Sequence, residues 1–214
     1  LETRSKQEDR FYIDMIAYMD KIVGKIVNEL KTQGIAENTL LYFVGDNGTK
    51  TTLVSLTENG PIRGGKGNTI THGNHVPMVA SWPGMIKKKS IYNGLINFTD
   101  FYATFCDILE VANESDGLSM MDLLSGEKPL ERKTATTYYD PMWSANVTQF
   151  RNVFSQNSRY KLYKDGKFFD MENDILEKSP LDENELSEDQ KIIKAKLADK
   201  LERFPSLPET SFVR

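Results

Sequence analysis

Apolar residues recur at steps of three and four between Asp14 and Gln33, and this spacing predicts an amphipathic helix. Gly34 follows directly and is a natural stop for that helix. Beyond a short turn, Thr39–Val44 is a nearly continuous apolar run, which is typical of a strand covered on both faces in a parallel sheet. A helix that leads into such a strand indicates an α/β fold.

Glycine is frequent in Gly45–Gly73, so this stretch is predicted to be a long loop, and loops of that length are commonly functional. Val76–Trp82 then predicts a second buried strand, which Pro83 and Gly84 end. Thr99 is predicted to cap a further helix. The first part of the chain is therefore expected to combine helices with buried strands around one glycine-rich loop.

The pattern changes near residue 134, where short strand-like runs replace the longer elements. Asp165-Gly166 between two of these runs is a strong signal for a hairpin turn. Ser187 and Gln190 predict a capping box for a helix that reaches about Phe204. The strand-like runs are Thr134–Tyr139, Phe150–Ser155, Arg159–Lys164 and Lys167–Met171. We therefore expect an α/β domain over residues 1–133 and, over residues 134–214, a subdomain with a small antiparallel sheet and a C-terminal helix.

Composition and charge exclude several classes of partner. With 214 residues, 39% of them hydrophobic and 27% charged, the chain is expected to be a soluble protein with a real core. The net charge of −4 comes from mixed charges, which argues against a nucleic-acid partner. No apolar run approaches the roughly 20 residues that a membrane span requires. Cys106 is the single cysteine, which excludes an internal disulfide, and its apolar helical surroundings favour a buried, inert thiol.

Asp46 and Asn47 stand at the C-terminal end of the first predicted strand, the edge at which open parallel sheets bind ligands. A carboxylate next to a carboxamide offers hard oxygen ligands, which suit Ca²⁺ or Mg²⁺ better than soft metals. The alternative is an ordinary Asp-Asn-Gly turn, a very common use of these residues. Taken alone, the pair favours the turn.

Lys66 lies in the sequence Gly-Gly-Lys-Gly, where the glycines let the backbone approach a ligand closely. Such a lysine can hold an anionic oxygen of sulfate or phosphate, and a solvated lysine on a flexible loop is an equal alternative. The spacing does not match a phosphate-binding P-loop. His72 and His75 follow near the second predicted strand, where a generic polar role is favoured over metal binding or contact with a substrate oxygen.

Taken in order along the chain, these segments resemble the sulfatase family of the alkaline phosphatase superfamily. The resemblance covers the helix before the family's late metal-binding strand, that strand with its Asp-Asn pair, the lysine loop, the next strand and the closing segments. The matching segments are residues 11–24, 38–48, 60–67, 76–84, 116–119, 159–162 and 169–174. Several ordered matches are far more specific than any one motif, so the chain is identified as the C-terminal portion of a sulfatase.

The resemblance implies an alkaline-phosphatase-like, mixed and mostly parallel sheet flanked by helices, followed by the small antiparallel sheet and C-terminal helix. It implies that Asp46 and Asn47 ligate a metal, usually Ca²⁺ and alternatively Mg²⁺. Lys66 would be catalytic, in contact with both the sulfate and the nucleophile. His75 stands where members often have Arg or His before Val-Pro, which implies proximity to the substrate. The implied substrate is a sulfated small molecule or carbohydrate, and the implied location is periplasmic, secreted or lysosomal.

The family's nucleophile is a formylglycine made from Cys or Ser in a Cys/Ser-x-Pro/Ala-x-Arg motif. Cys106 is followed by Asp-Ile-Leu-Glu, so it is not that residue, and the formylglycine is expected upstream of Leu1. We therefore expect the 214-residue chain alone to be inactive. We also expect it to pair with the N-terminal remainder of the same protein or to self-associate, because unpaired strand edges and apolar surface would be exposed.

Two alternatives stay open at this point. A phosphodiesterase or phosphonate hydrolase of the same superfamily would use similar oxygen ligands, and only the nucleophile region would distinguish it. A non-catalytic binding module would keep the sulfatase-like fold without the chemistry.

Overall fold

The computed structural model describes residues 2–58, 60–86, 89–141 and 150–208, with side chains from Arg10 onward. The chain divides into two compact units. One comprises Leu1–Lys66 and His72–Ser90, and the other comprises Gly67–Thr71 and Ile91–Arg214. The division concerns the packing of this chain alone, and the predicted domain boundary between residues 133 and 134 stays a prediction.

Helices and strands mix in the first half of the chain, and antiparallel strands dominate the second. In chain order the elements are α1 (Glu2–Thr32), β1 (Leu41–Val44), β2 (Val54–Thr57), β3 (Gly60–Arg63), α2 (Thr71–Asn74), β4 (Met78–Ser81), α3 (Thr99–Ile108), α4 (Met121–Ser125), β5 (Ala135–Tyr139), β6 (Asn152–Gln156), β7 (Tyr160–Tyr163), β8 (Phe168–Asp170) and α5 (Glu188–Glu202). Short 3-10 helices lie at Ala36–Asn38 and Glu183–Glu185. This order confirms the predicted α/β class with a following antiparallel sheet and C-terminal helix.

Helix α1 is longer than predicted, because it starts at Glu2 rather than near Asp14. The added residues are rich in Glu, Lys, Arg and Gln, which form helices well without an apolar stripe, so periodicity could not reveal them. The helix ends as predicted before Gly34, whose φ of 70° lies in the left-handed region that favours glycine. Several of its apolar side chains are exposed, and four of them, spaced three or four residues apart, form the α1 apolar face: Phe11, Met15, Tyr18 and Met19.

Strands β1 and β4 pair with each other in antiparallel register, with Leu41 opposite Ser81 and Val44 opposite Met78. The parallel neighbour that their apolar runs predicted is therefore not found between β1 and β4, and their antiparallel pairing fits the mixed sheet that the resemblance implies. Strand β1 is half-buried throughout, and Val79 of β4 is 60% exposed. An apolar run shows that a strand can be covered, but it does not say which strand or layer covers it.

The stretch predicted to be one long loop contains regular structure. Strands β2 and β3 form an antiparallel hairpin, in which Val54 is opposite Arg63 and Thr57 is opposite Gly60. Helix α2 adds a short helical segment before β4. All β2 side chains are exposed. The β2 sequence Val-Ser-Leu-Thr does alternate between apolar and polar residues, a strand signal that the prediction of a loop from glycine content overlooked.

Strands β5 to β8 form an antiparallel sheet in sequential order. Every side chain of β7 and β8 is buried, and so are Val153, Phe154 and Ser155 in β6. The predicted Asp165-Gly166 turn joins β7 to β8, and Gly166 has a φ of 92° there. The strand boundaries agree with the predicted runs to within two residues. The antiparallel sheet is therefore confirmed.

Helix α5 begins with the predicted capping box. Ser187 Oγ accepts from the Gln190 backbone N–H, and Gln190 Oε1 accepts from the Ser187 N–H. The helix buries Leu197 and Leu201 in a cluster with residues of the sheet. The other buried members of that cluster are Val153, Tyr160, Leu162, Phe168 and Leu186. This unit therefore has a core made from its own residues.

Helix α3 begins at Thr99, so the predicted cap at that residue is wrong. The cap position is held by Phe98, which makes no side-chain cap bond. The Thr99 N–H instead donates to Asn97 Oδ1 at 3.1 Å. Asp100, in the first turn, is fully buried and is paired with the Arg132 guanidinium. The start of α3 is thus fixed by a buried ion pair in place of a hydroxyl cap.

Helix α3 also carries the cysteine of the chain. Cys106 is 5% exposed, which confirms the expected burial of its thiol. Within the described ranges, neither α3 nor any other helix combines the length and the apolar character needed to cross a lipid bilayer.

Candidate functional site

The segment after β1, the lysine loop and helix α2 pack together through their backbones. The Gly48 N–H donates to the Gly73 carbonyl at 2.8 Å, and the Lys66 N–H donates to the Thr49 carbonyl at 2.9 Å. The backbone on either side of the predicted site residues is therefore held by hydrogen bonds. The segments that meet in this way, named the loop cluster, are residues 45–49, 64–66 and 72–73.

Close backbone approach requires glycine at several positions of the loop cluster. A Cβ at Gly48 would lie 2.0 Å from the His72 carbonyl oxygen, and a Cβ at Gly65 would lie 2.6 Å from the His72 carbonyl carbon. At Gly64 it would lie 2.3 Å from the Lys50 carbonyl oxygen. These contacts are all to backbone atoms, which cannot rotate away as a side chain can. The glycines therefore allow the two predicted site loops to reach each other.

The predicted site residues lie on this fixed backbone with their side chains open to solvent. Asp46 and Lys66 are exposed and Asn47 is half-buried, whereas Gly65 beside the lysine is buried. His75, in the short segment between α2 and β4, is exposed as well. A carboxylate and an ammonium group in this setting are accessible to a ligand. Their roles as metal ligands and substrate contacts stay predictions.

The His72 ring is oriented by a hydrogen bond to the backbone of β3. Its Nδ1 lies 3.1 Å from the Arg63 carbonyl oxygen. Since a carbonyl only accepts, Nδ1 carries the hydrogen of this bond. Nε2 is buried and has no hydrogen-bond partner in the part of the chain that the structure describes. The sequence predicted a substrate contact for His75 only, through the family resemblance, because the bond of His72 to the Arg63 carbonyl has no sequence signal.

The β2–β3 hairpin separates the two site loops along the chain and is anchored at its base. Leu53 is buried, and its carbonyl accepts from the Gly64 N–H at 3.0 Å. Arg63 Nη1 donates to the Thr51 carbonyl at 3.1 Å. Along the hairpin, Leu56 is 87% exposed. Hydrogen bonds therefore hold the base of the hairpin, where the chain leaves the loop cluster and returns to it.

Neighbouring elements support the loop cluster. Burial raises the pKa of Tyr42 in β1 to about 12, so this hydroxyl stays protonated at neutral pH. The Tyr12 hydroxyl of α1 lies 3.3 Å from Thr49 Oγ1. Trp82, just after β4, donates its Nε1–H to the Glu37 carbonyl at 3.2 Å. These contacts tie α1 and the end of β4 to the segments around them.

The oxygen donors of the site fit a hard divalent cation in type but not in number. Asp46 offers a carboxylate and Asn47 a carboxamide oxygen, whereas Ca²⁺ takes roughly six to eight oxygen ligands. Among the described residues, no group of three or more His, Cys, Asp and Glu side chains could hold a metal ion. A complete site therefore needs ligands beyond those that this part of the chain supplies.

Family models match both halves of the chain. The model described as Sulfatase matches residues 1–111. The model described as N-sulphoglucosamine sulphohydrolase, C-terminal, matches residues 69–206. Together these matches cover the loop cluster, the antiparallel sheet and α5.

Curated relatives carry sulfatase names and are much longer than this chain. A Sulfatase of Formosa agariphila is 29% identical over 85% of this chain and 36% of its own length. The Uncharacterized sulfatase YdeN of Escherichia coli is 32% identical over 74% of this chain and 29% of its own length. Human N-acetylgalactosamine-6-sulfatase is 28% identical over 67% of this chain and 28% of its own length. The chain therefore spans about a third of the length of these relatives.

Solved sulfatase structures share the fold. The structure of BT4656 in complex with its substrate D-glucosamine-2-N,6-O-disulfate has a TM-score of 0.68 at 23% identity, over 87% of this chain and 39% of that chain. The PsFucS1 sulfatase from Pseudoalteromonas sp. has a TM-score of 0.65 at 24% identity, over 91% of this chain and 44% of that chain. These likenesses confirm the sulfatase fold, which is alkaline-phosphatase-like.

Proposed function

Because this chain belongs to the sulfatase family, we propose that it is the C-terminal part of an enzyme that hydrolyses sulfate esters of carbohydrates. The observation that carries the proposal is the loop cluster, in which the segments bearing Asp46, Asn47 and Lys66 are bonded backbone to backbone. A carboxylate, an amide and an ammonium group held in this way complement a divalent cation and a tetrahedral anion.

Each residue of the site has a part in this proposal. Asp46 and Asn47 supply two oxygen ligands of a divalent cation, Ca²⁺ or alternatively Mg²⁺. A cation held there would supply electrostatic stabilisation of the anionic sulfate group. Lys66 binds a sulfate oxygen through its ammonium group and offsets the charge that develops as the ester bond breaks. His75 remains a predicted substrate contact.

The proposed substrate class is a sulfated carbohydrate. BT4656 was solved with a disulfated glucosamine as its substrate, and the human relative is named for a sulfated N-acetylgalactosamine. The family model over residues 69–206 is described by an N-sulphated glucosamine. An exposed ammonium group on Lys66 suits such an anionic sugar. These similarities support the class and leave the individual sugar open.

We assign the rest of the active site to a preceding part of the same protein. The chain covers 36% of the Formosa relative, so the nucleophile, expected to be a formylglycine, and the remaining metal ligands would come from that part. The α1 apolar face, on which Phe11 is 56% and Met15 is 65% exposed, is the kind of surface that such a part would cover.

The first test is sulfate release from a panel of sulfated sugars by the full-length protein that contains this chain. Lys66→Ala is expected to lower kcat/KM by roughly 100- to 1,000-fold, because it removes a charge that stabilises the transition state. Lys31→Ala, at the end of α1, is the matched control and should leave kcat/KM unchanged. Hydrolysis of a phosphodiester in place of sulfate esters would favour the phosphodiesterase alternative, and turnover of neither would favour a binding module.

The second test uses the 214-residue chain alone, which is expected to be inactive. It should bind an apolar dye such as ANS and self-associate in sedimentation velocity, because the α1 apolar face is exposed. Phe11→Ser with Met15→Ser should reduce dye binding, whereas Ile91→Ser, at a residue 85% exposed outside that face, should not. Sulfate-ester hydrolysis by this chain alone would contradict the proposed division of the site, and so would a monomer that binds no dye.

A further inference from the structure

The peptide that joins Arg63 to Gly64 lies at the end of β3, shortly before Lys66, and is held at both of its polar groups. Its carbonyl oxygen accepts a hydrogen bond from Nδ1 of His72 at 3.1 Å. Its N–H group, that of Gly64, donates to the Leu53 carbonyl at 3.0 Å. The first of these bonds comes from a side chain and the second from the backbone. A side chain of α2 therefore fixes the chain just before it reaches Lys66.

Two successive glycines, Gly64 and Gly65, connect this peptide to Lys66. Glycine has the widest choice of backbone conformations, so ordering two of them in a row costs more conformational entropy than ordering other residues. At the far end of the pair, the Lys66 N–H donates to the Thr49 carbonyl at 2.9 Å. Restraints at both ends therefore limit the conformations of the two glycines and, with them, the position of the Lys66 backbone.

The backbone that carries the His72 ring is itself closely packed. A Cβ at Gly48 or at Gly65 would lie within 3 Å of the His72 backbone, and the carbonyl of the next residue, Gly73, accepts from the Gly48 N–H at 2.8 Å. The ring therefore reaches the Arg63 carbonyl from a fixed support. Arg63, Lys66 and His72 all belong to the same compact unit, so their arrangement is set within that unit.

The two ring nitrogens of His72 differ in what they contact. Nδ1 donates to the Arg63 carbonyl, whereas Nε2 is buried and has no hydrogen-bond partner among the residues that the structure describes. Loss of Nδ1 would deprive that carbonyl of its donor and release one end of the glycine pair. The restraint on the lysine loop therefore depends on one atom of the ring.

We propose that His72 is a positioning residue, whose Nδ1–H holds the peptide between Arg63 and Gly64 and thereby sets the backbone from which the Lys66 ammonium group reaches the sulfate. The inference rests on the proposed function, because the role of Lys66 toward sulfate gives this setting its effect on the reaction. His72 acts through that peptide and Lys66, and it contacts no reacting atom.

The test uses the full-length protein that contains this chain. His72→Ala removes the donor to the Arg63 carbonyl. Amide hydrogen exchange in a peptide that covers residues 60–66 is expected to become roughly tenfold faster, because a restraint on this segment is lost. The kcat for a sulfated sugar is expected to fall by roughly 10- to 100-fold, more than KM changes, because small displacements of a positioned group are costly in the transition state.

Two further variants of His72 separate the contributions of its ring nitrogens. The side-chain amide of His72→Asn can occupy the place of Nδ1 and keep a donor there, so exchange and kcat should return to within about threefold of the unmodified protein. The longer side chain of His72→Gln places its amide near the position of Nε2 and should not restore them. A purely structural role for His72 predicts lower stability and an unchanged kcat for each folded molecule in all three variants.

The matched control is Thr39→Val, which removes another hydrogen bond from a side chain to a backbone carbonyl in the same unit. Thr39 Oγ1 donates to the Ile35 carbonyl at 2.8 Å, outside the loop cluster. Exchange across residues 60–66 and kcat should therefore both stay near those of the unmodified protein.

Unchanged exchange across residues 60–66 in a folded His72→Ala variant would overturn the inference, and so would faster exchange with an unchanged kcat. Rescue by His72→Gln but not by His72→Asn would also overturn it, because the role would then belong to Nε2. If His72→Ala does not fold, the comparison of the Asn and Gln variants decides in its place. Absence of sulfatase activity in the unmodified protein would contradict only the proposed function, and the exchange measurements would then still decide whether His72 restrains this segment.

Discussion

The two compact units differ in what holds them together. In the unit with the β5–β8 sheet, apolar side chains from strands and α5 fill a core in which Val153 is 0% and Leu197 is 1% exposed. In the other unit, β1 and β4 are at most half-buried, and the loop cluster is held by backbone hydrogen bonds between glycine-rich segments. The difference shows that, within this chain by itself, the site loops are held by backbone hydrogen bonds and the sheet is held by its side chains.

The largest expected effect concerns the apolar core of the unit with the β5–β8 sheet. Leu197→Ala leaves a cavity beside Val153 and Phe168, and it should lower the free energy of unfolding by about 3 kcal/mol. Ile192→Ala, at a 52% exposed position of the same helix, should change it by less than about 0.5 kcal/mol. Urea denaturation followed by circular dichroism measures both. An equal loss in the two variants would mean that this unit has no core of the kind described.

The next effect tests the backbone packing of the loop cluster. Gly48→Ala places a methyl group 2.0 Å from the His72 carbonyl oxygen, so the segments must move apart. We expect kcat/KM of the full-length protein for a sulfated sugar to fall by roughly 100-fold, because the site loops are displaced. Gly24→Ala in α1, where a Cβ would meet nothing within 4 Å, is the control and should be neutral or slightly stabilising. Full activity in Gly48→Ala would show that close packing of these loops is dispensable.

The smallest effect is a pH dependence confined to the sheet. Hydrogen bonds from Arg159 hold the pKa of Asp170 below its ordinary value of 3.8. The folded state therefore binds fewer protons than the unfolded state, so this contribution to stability is present above about pH 4 and is lost as the pH falls toward the folded-state pKa. Asp170→Asn should lower the free energy of unfolding by roughly 2 kcal/mol at pH 7, and the difference should shrink below pH 4. Urea denaturation from pH 2.5 to 7 would contradict this if the difference stayed constant.

Local signals made the sheet unit predictable. The Asp165-Gly166 turn and the Ser187–Gln190 capping box each depend on residues within a few positions of one another, and both are present. The partner of β1 lies far along the chain, since Leu41 pairs with Ser81. Its apolar run indicated a strand but carried no information about the direction of the strand beside it. Pairing over such a distance is decided by tertiary packing.

The candidate site was predictable as a set of segments but not as a packed arrangement. Asp46, Asn47 and Lys66 stand out by residue type, by order and by family resemblance. The reason that Gly65 precedes the lysine is the approach of the His72 backbone, which only the structure reveals. Residue type can mark the groups that bind a ligand, whereas the support beneath them depends on contacts between distant segments.

The burial of Lys161 could not be predicted from the sequence either. A lysine in a short strand next to other charged residues is normally expected to face solvent. Its partners Thr69 and Glu177 lie 92 and 16 positions away, so nothing in the surrounding sequence indicates burial. The ion pair between Lys161 and Glu177 becomes visible only when the β5–β8 sheet is assembled with the segment that carries Thr69.

The glycines of the loop cluster also limit how this scaffold can be redesigned. A glycine cannot be substituted where a methyl group would overlap a carbonyl. A change in substrate selectivity therefore has to come from neighbouring positions whose side chains are exposed. His75 and the hairpin residue Leu56 meet that condition, because both are exposed. A directed-evolution library would therefore randomise these two positions and keep Gly48, Gly64 and Gly65 constant.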